Sequence, residues 1–150
     1  MNTDQEKELR PDHDPLTEIV IGLVFKVANG LGSGFLEKVY ENAMTIELQR
    51  AGLTFQQQIP ITVYYAGQVV GTYIADLVVE GRPLLELKAC RTLEDAHTAQ
   101  SLNYLKATDL PTCLLINFGA PSPRSSVFPA SLFALIGVHQ LLSVFIGVLL

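Results

Sequence analysis

A chain of 150 residues, 49% of them hydrophobic, suits a single domain with a sizeable core. Its net charge is −5, with five acids against two bases in the first fifteen residues and ten against eight in the remainder. That balance excludes a basic surface running over the whole molecule, and leaves only local cations such as Arg82, Lys88, Arg91 and Lys106 to meet a polyanion. Two cysteines, Cys90 and Cys113, lack metal-ligand spacing, and Met1 to Asp14 is charged rather than a signal peptide, which points to free thiols in a reducing cytoplasm.

The first predicted element begins at Asp14-Pro15, where a capping carboxylate precedes a first-turn proline. Leu16, Ile19, Val20, Leu23, Val24 and Val27 then recur at spacings of three and four, the mark of one buried helical face. Gly30 to Gly34 break it, and a second helix is expected from about Phe35 to Ala51, closed by Gly52. Gln58 to Tyr65 and Gln68 to Asp76 read as strands around Ala66-Gly67. Leu77 to Val79 and Leu84 to Cys90 flank the turn residues Glu80-Gly81-Arg82-Pro83, so a further hairpin is expected there. A helix from about Leu93 to Lys106 and a strand from Thr112 to Phe118 complete an α/β unit, and Pro121 to Pro129 reads as a linker.

Three charges interrupt the apolar hairpin: Asp76, Glu86 and Lys88. Glu86 and Lys88 lie two apart on a strand and share a face. If the register sets Asp76 opposite them, two carboxylates and an ammonium converge, which is the composition of a site for Mg²⁺, a cation held by one or two carboxylates and several waters. Such a site serves phosphodiester hydrolysis, the metal acting as a Lewis acid and the ammonium stabilising developing charge. The same pattern also fits the solvated face of an edge strand on which the three never meet. On the two helices, Glu37 and Tyr40 stand three apart, and His97, Gln100 and Tyr104 form a polar stripe. Glu37 has a plainer reading as a carboxylate favoured by the helix dipole, and His97 as a packing imidazole.

The spacing Asp-x9-Glu-x-Lys resembles the PD-(D/E)xK nuclease superfamily, and Gly34-Phe35-Leu36-Glu37-Lys38-Val39-Tyr40 is similar to the motif that names its GxxExxY branch. Arg50-Ala51-Gly52-Leu53, Gly71 to Gly81, Glu86-Leu87-Lys88-Ala89, His97-Thr98-Ala99-Gln100, Asn103-Tyr104-Leu105 and Leu115 to Gly119 resemble that family's blocks in order, over about residues 16 to 128. The resemblance implies a restriction-endonuclease-like α/β core, a mixed central sheet flanked by helices. It also implies a Mg²⁺- or Mn²⁺-dependent nuclease acting on DNA or RNA, as an endonuclease or otherwise. By the same resemblance Asp76 and Glu86 are the metal pair, Lys88 the catalytic lysine, Glu37 a second-metal or water-positioning carboxylate, and Tyr40, Gln100 and Tyr104 the substrate side. Ile74 departs from the family, which often carries Arg there, as does Ala28-Asn29, where relatives tend to have His or Arg. A catalytically silent module that keeps the fold and binds nucleic acid or a protein is the alternative function.

The division expected is an acidic tail over 1–15, the nuclease-like domain over 16–128 and a hydrophobic tail over 129–150. From Ser131 to Leu150 no residue is formally charged, apart from His139 when protonated, enough apolar length to span a bilayer as a helix. No Lys or Arg cluster flanks it to orient it. It reads as a packed helix or a non-native ending in preference to a membrane anchor, and such a tail would favour a homodimer.

Overall fold

The computed structural model describes residues 14–119 and the strand 124–129; the expected acidic tail and the hydrophobic tail after residue 129 lie, but for Asp14 and Pro15, outside the described residues. In chain order the elements are α1 (Pro15–Leu31), α2 (Glu37–Arg50), β1 (Phe55–Tyr65), β2 (Gln68–Val79), β3 (Pro83–Lys88), α3 (Asp95–Ala107), β4 (Thr112–Asn117) and β5 (Arg124–Pro129). They form a five-stranded sheet in the order β1-β2-β3-β4-β5. Only β3 and β4 run parallel, and α3 is the crossover that parallel neighbours require. This is the α/β, restriction-endonuclease-like arrangement expected, a mixed sheet with helices on both faces.

Local chemistry accounts for most boundaries. The Asp14 carboxylate accepts the Leu16 amide at 3.3 Å and Pro15 occupies the first turn, starting α1 where its sequence indicates. Leu16, Val20, Val24 and Val27 are buried along one stripe, whereas Ile19, expected with them, is 48% exposed because α1 is covered on one side only. β1 and β2 extend beyond their expected ends on the side away from the turn, to Phe55 and Val79, and are joined by a turn in which Ala66 and Gly67 both have positive φ, the geometry of a tight hairpin. Glu80 and Gly81 repeat that geometry between β2 and β3.

The centre of the sheet, the end of β2 with β3 and β4, is buried on both sides, as a parallel core demands, whereas β1 and the first half of β2 are largely exposed. Tyr40, Met44 and Leu48 of α2 pack with Val20 and Val24 of α1 over Leu77, Leu85, Leu87, Leu114 and Ile116. Leu102, Tyr104 and Leu105 of α3 cover Val78, Leu84, Cys113 and Leu115 on the opposite face. Each fully buried leucine contributes roughly 1.5–3 kcal/mol, so this double-sided layer holds β3 and β4 firmly in place.

One expectation fails. Arg124–Pro129, read from its prolines and serines as linker, is a strand paired antiparallel with β4, Cys113 opposite Phe128 and Asn117 opposite Arg124. The open edge of β4 supplies the partner, a tertiary opportunity that local composition does not advertise.

Candidate active site

The site arises where β2 and β3 part. Their ladder holds Leu77 opposite Leu85 and Val78 opposite Leu84 and goes no further. One step beyond it Asp76 would face Glu86. Instead of a backbone pair, the Asp76 carboxylate reaches across the fork and accepts the Leu87 amide at 2.7 Å. Glu86, on the same face of β3 as the buried Leu84, occupies a core position and is only 4% exposed. Lys88 follows on that face, its Nζ 3.4 Å from Glu86 Oε1. The second Glu86 oxygen, Oε2, is buried and has no hydrogen-bond partner among the described residues.

Electrostatics set this fork apart. Burial, then the charge of Asp76, pushes Glu86 up to about 8, with Lys88 opposing. Asp76 is also raised, chiefly by burial against the opposing Leu87 hydrogen bond, with further contributions from Glu41 and Glu37. A buried glutamate beside a part-buried aspartate and an ammonium is an arrangement proteins rarely tolerate without a use.

A family model described as the PD-(D/E)XK nuclease superfamily matches residues 14–128, spanning the Asp76, Glu86 and Lys88 positions. The chain belongs to the PD-(D/E)XK nuclease superfamily. No curated protein and no solved structure matches it.

On the Asp76 side of the fork the domain opens a cleft of about 450 Å³, lined by Phe35, Leu36, Glu37, Lys38, Glu41, Asp76 and Ala89. Glu37, the first residue of α2, is exposed at its mouth, and its charge raises both Asp76 and Glu86. Glu41 went unnoticed in the sequence. It is 3% exposed and accepts hydrogen bonds from Lys38 at 2.9 Å, from Gln57, and from Gln58 at 3.0 Å on both oxygens. Burial works to raise Glu41, but those three donors and the Lys38 charge hold it below the ordinary carboxylate value. The available signal was its place one helical turn beyond Glu37, which puts both carboxylates on one face.

Gln100 and Tyr104 lie together on α3, Gln100 Nε2 donating to the Tyr104 hydroxyl at 2.8 Å. Burial, followed by the Glu86 charge, pushes that phenol up to about 12 and keeps it protonated. Tyr73 of β2 packs on it with ring centroids 5.9 Å apart. Tyr40, expected on the substrate side, is instead fully buried: it stacks on Phe118 at 4.5 Å and its hydroxyl donates to the Gly32 carbonyl at 2.6 Å. Its ring size and its polar tip are used to lock the α1–α2 connection under the cleft. His97 closes the start of α3 as part of a capping box with Glu94, its Nδ1 accepting the Glu94 amide at 3.0 Å. Ile74 is 56% exposed and brings no cation to the fork.

Asn117 is a second residue that sequence reasoning missed. Buried at the end of β4, it accepts the Cys90 amide at 3.1 Å and the Gly119 amide at 3.0 Å, and donates to the Cys90 carbonyl at 2.9 Å. With the Phe118 amide on the Lys88 carbonyl at 2.8 Å, it pins the chain just past Lys88. A Cβ at Gly119 would collide with the Cys90 carbonyl, so only glycine permits this approach.

Among the described residues no three His, Cys, Asp or Glu side chains close into a metal cage. Two carboxylates with one unpartnered buried oxygen nevertheless fit a hard divalent cation that retains several of its waters. They do not fit a closed structural zinc site. No described helix is long and apolar enough to cross a membrane.

Proposed function

We propose that this chain hydrolyses phosphodiester bonds of DNA or RNA with Mg²⁺ or Mn²⁺ as cofactor, Asp76 and Glu86 holding the metal. The observation that carries the proposal is the buried, unpartnered Glu86 oxygen at the fork, beside Asp76 and Lys88. A bound cation supplies Lewis-acid polarisation of a phosphoryl oxygen. The ammonium of Lys88, anchored at 3.4 Å from Glu86 and 15% exposed, stabilises negative charge developing on the phosphate. Glu37, at the cleft mouth, orients the attacking water by accepting its hydrogen bond, and the Gln100–Tyr104 pair supplies a protonated phenol on the α3 side.

Cleavage of labelled single- and double-stranded DNA and RNA by the full chain with Mg²⁺ or Mn²⁺, beside Glu86→Ala and Lys88→Ala, tests this. Metal-dependent cutting abolished by both substitutions is the expected result. A folded protein that cuts nothing and whose Tm does not rise with metal would instead be a silent nuclease-fold binding module.

A further inference from the structure

The apolar residues at the mouth of the cleft are unused by the chemistry above. Phe35 is 46% and Leu36 79% exposed, yet both line the same cavity as Asp76. Phe35 is held in place: its amide donates to the Tyr40 hydroxyl at 3.3 Å and its ring meets Tyr40 at 6.2 Å with planes 78° apart. Tyr40 in turn stacks on Phe118 in the core. An aromatic ring anchored on one side and open on the other, lining the same cleft as Asp76 of the proposed phosphodiester site, is a platform for a base.

Charge selects the form of that base. The cleft carries Glu37, Glu41 and Asp76, and its Lys38 is engaged by Glu41. From Phe55 to Ala75, the two strands beside it, the sequence contains no charged residue. Duplex DNA presents one phosphate charge per roughly 1.7 Å of axis and is held by a row of cations along its length. Here no such row adjoins the cleft among the described residues, whereas an unpaired base is bound by its face. We propose that Phe35 and Leu36 form a stacking shelf that makes single-stranded nucleic acid the substrate class, an inference that rests on the nuclease reading and deepens it.

The test is a titration of the full chain with a single-stranded oligonucleotide carrying 2-aminopurine and with its duplex, together with KM and kcat for cleavage of both. Stacking quenches the probe, and the single strand is expected to bind more tightly than the duplex. Phe35→Ala is expected to raise Kd and KM about 5–100-fold, the loss of one base–aromatic contact, with kcat changed far less and Phe35→Trp restoring binding. Leu36→Ala, at a position too exposed to affect folding, raises KM by a smaller factor. Unchanged KM in both alanine variants, or equal affinity for the duplex, overturns the shelf even if cleavage occurs. Quenching that depends on Phe35 without any cleavage keeps the shelf and removes the nuclease reading; neither quenching nor cleavage removes both.

Discussion

Two buried glutamates lie within reach of the same Asp76, and they are opposites. Glu41, 3% exposed, is met by Lys38, Gln57 and Gln58, and is held low. Glu86, 4% exposed, has one ammonium at 3.4 Å, an oxygen with no partner and a value pushed up to about 8. Burial is the same; satisfaction is not. A carboxylate with both oxygens engaged by the protein holds elements together, here α2 to β1, while one with an oxygen left unpartnered has capacity for something the chain does not itself supply.

The contrast is broken most severely by activity. Glu86→Gln is expected to lower metal-dependent cleavage about 10²–10³-fold, the scale of removing one preorganised charge-stabilising group, while Glu41→Gln stays within about tenfold. Equal losses in the two variants, measured as kcat/KM on one oligonucleotide, would erase the distinction.

The next effect is on stability against pH. The folded chain keeps a proton on Glu86 up to about 8, whereas the unfolded chain loses it near 4.5. Stability of the metal-free protein therefore falls as pH rises through that window, by up to about 1.4 kcal/mol per pH unit from this group. Asp76, also raised, adds to the slope in the same direction. Melting curves from pH 5 to 8 should show this decline, and Glu86→Gln should flatten it. Mg²⁺ should oppose it, raising Tm most at the alkaline end, where the carboxylate is free to bind. Glu41 has the other sign: its low folded value stabilises above the unfolded pKa, and that contribution disappears as pH falls through the folded one.

The smallest of these effects sharpens the assignment of Glu41. Glu41→Ala should cost about 1–3 kcal/mol by chemical denaturation at neutral pH, as Lys38, Gln57 and Gln58 lose their common acceptor. Glu86→Gln in the same metal-free assay should not destabilise. A reversal would make Glu86 the structural residue and Glu41 the one with capacity to spare.

The helices and the hairpins were legible in the amino-acid order, because caps, turn residues and apolar spacing act over a few residues, and the hairpin brings Asp76, Glu86 and Lys88 to one fork as its spacing suggested. The order also placed Gln100 and Tyr104 one turn apart on α3, where they bond. It misjudged Tyr40, since the motif gives a position on a helix and not the depth at which Phe118 receives its ring. Glu41 and Asn117 stayed hidden for a related reason: the partners that give them their roles lie 16 and 27 residues away, on other elements of the fold. The strand at Arg124–Pro129 depended likewise on a free edge of β4. Tertiary structure alone decided that the β2–β3 ladder stops at Leu77 and Leu85. That short ladder lets Asp76 turn to the Leu87 amide and leaves Glu86 sealed beside it, because hydrogen bonds between strands, unlike propensities within them, are fixed only when the whole sheet is packed.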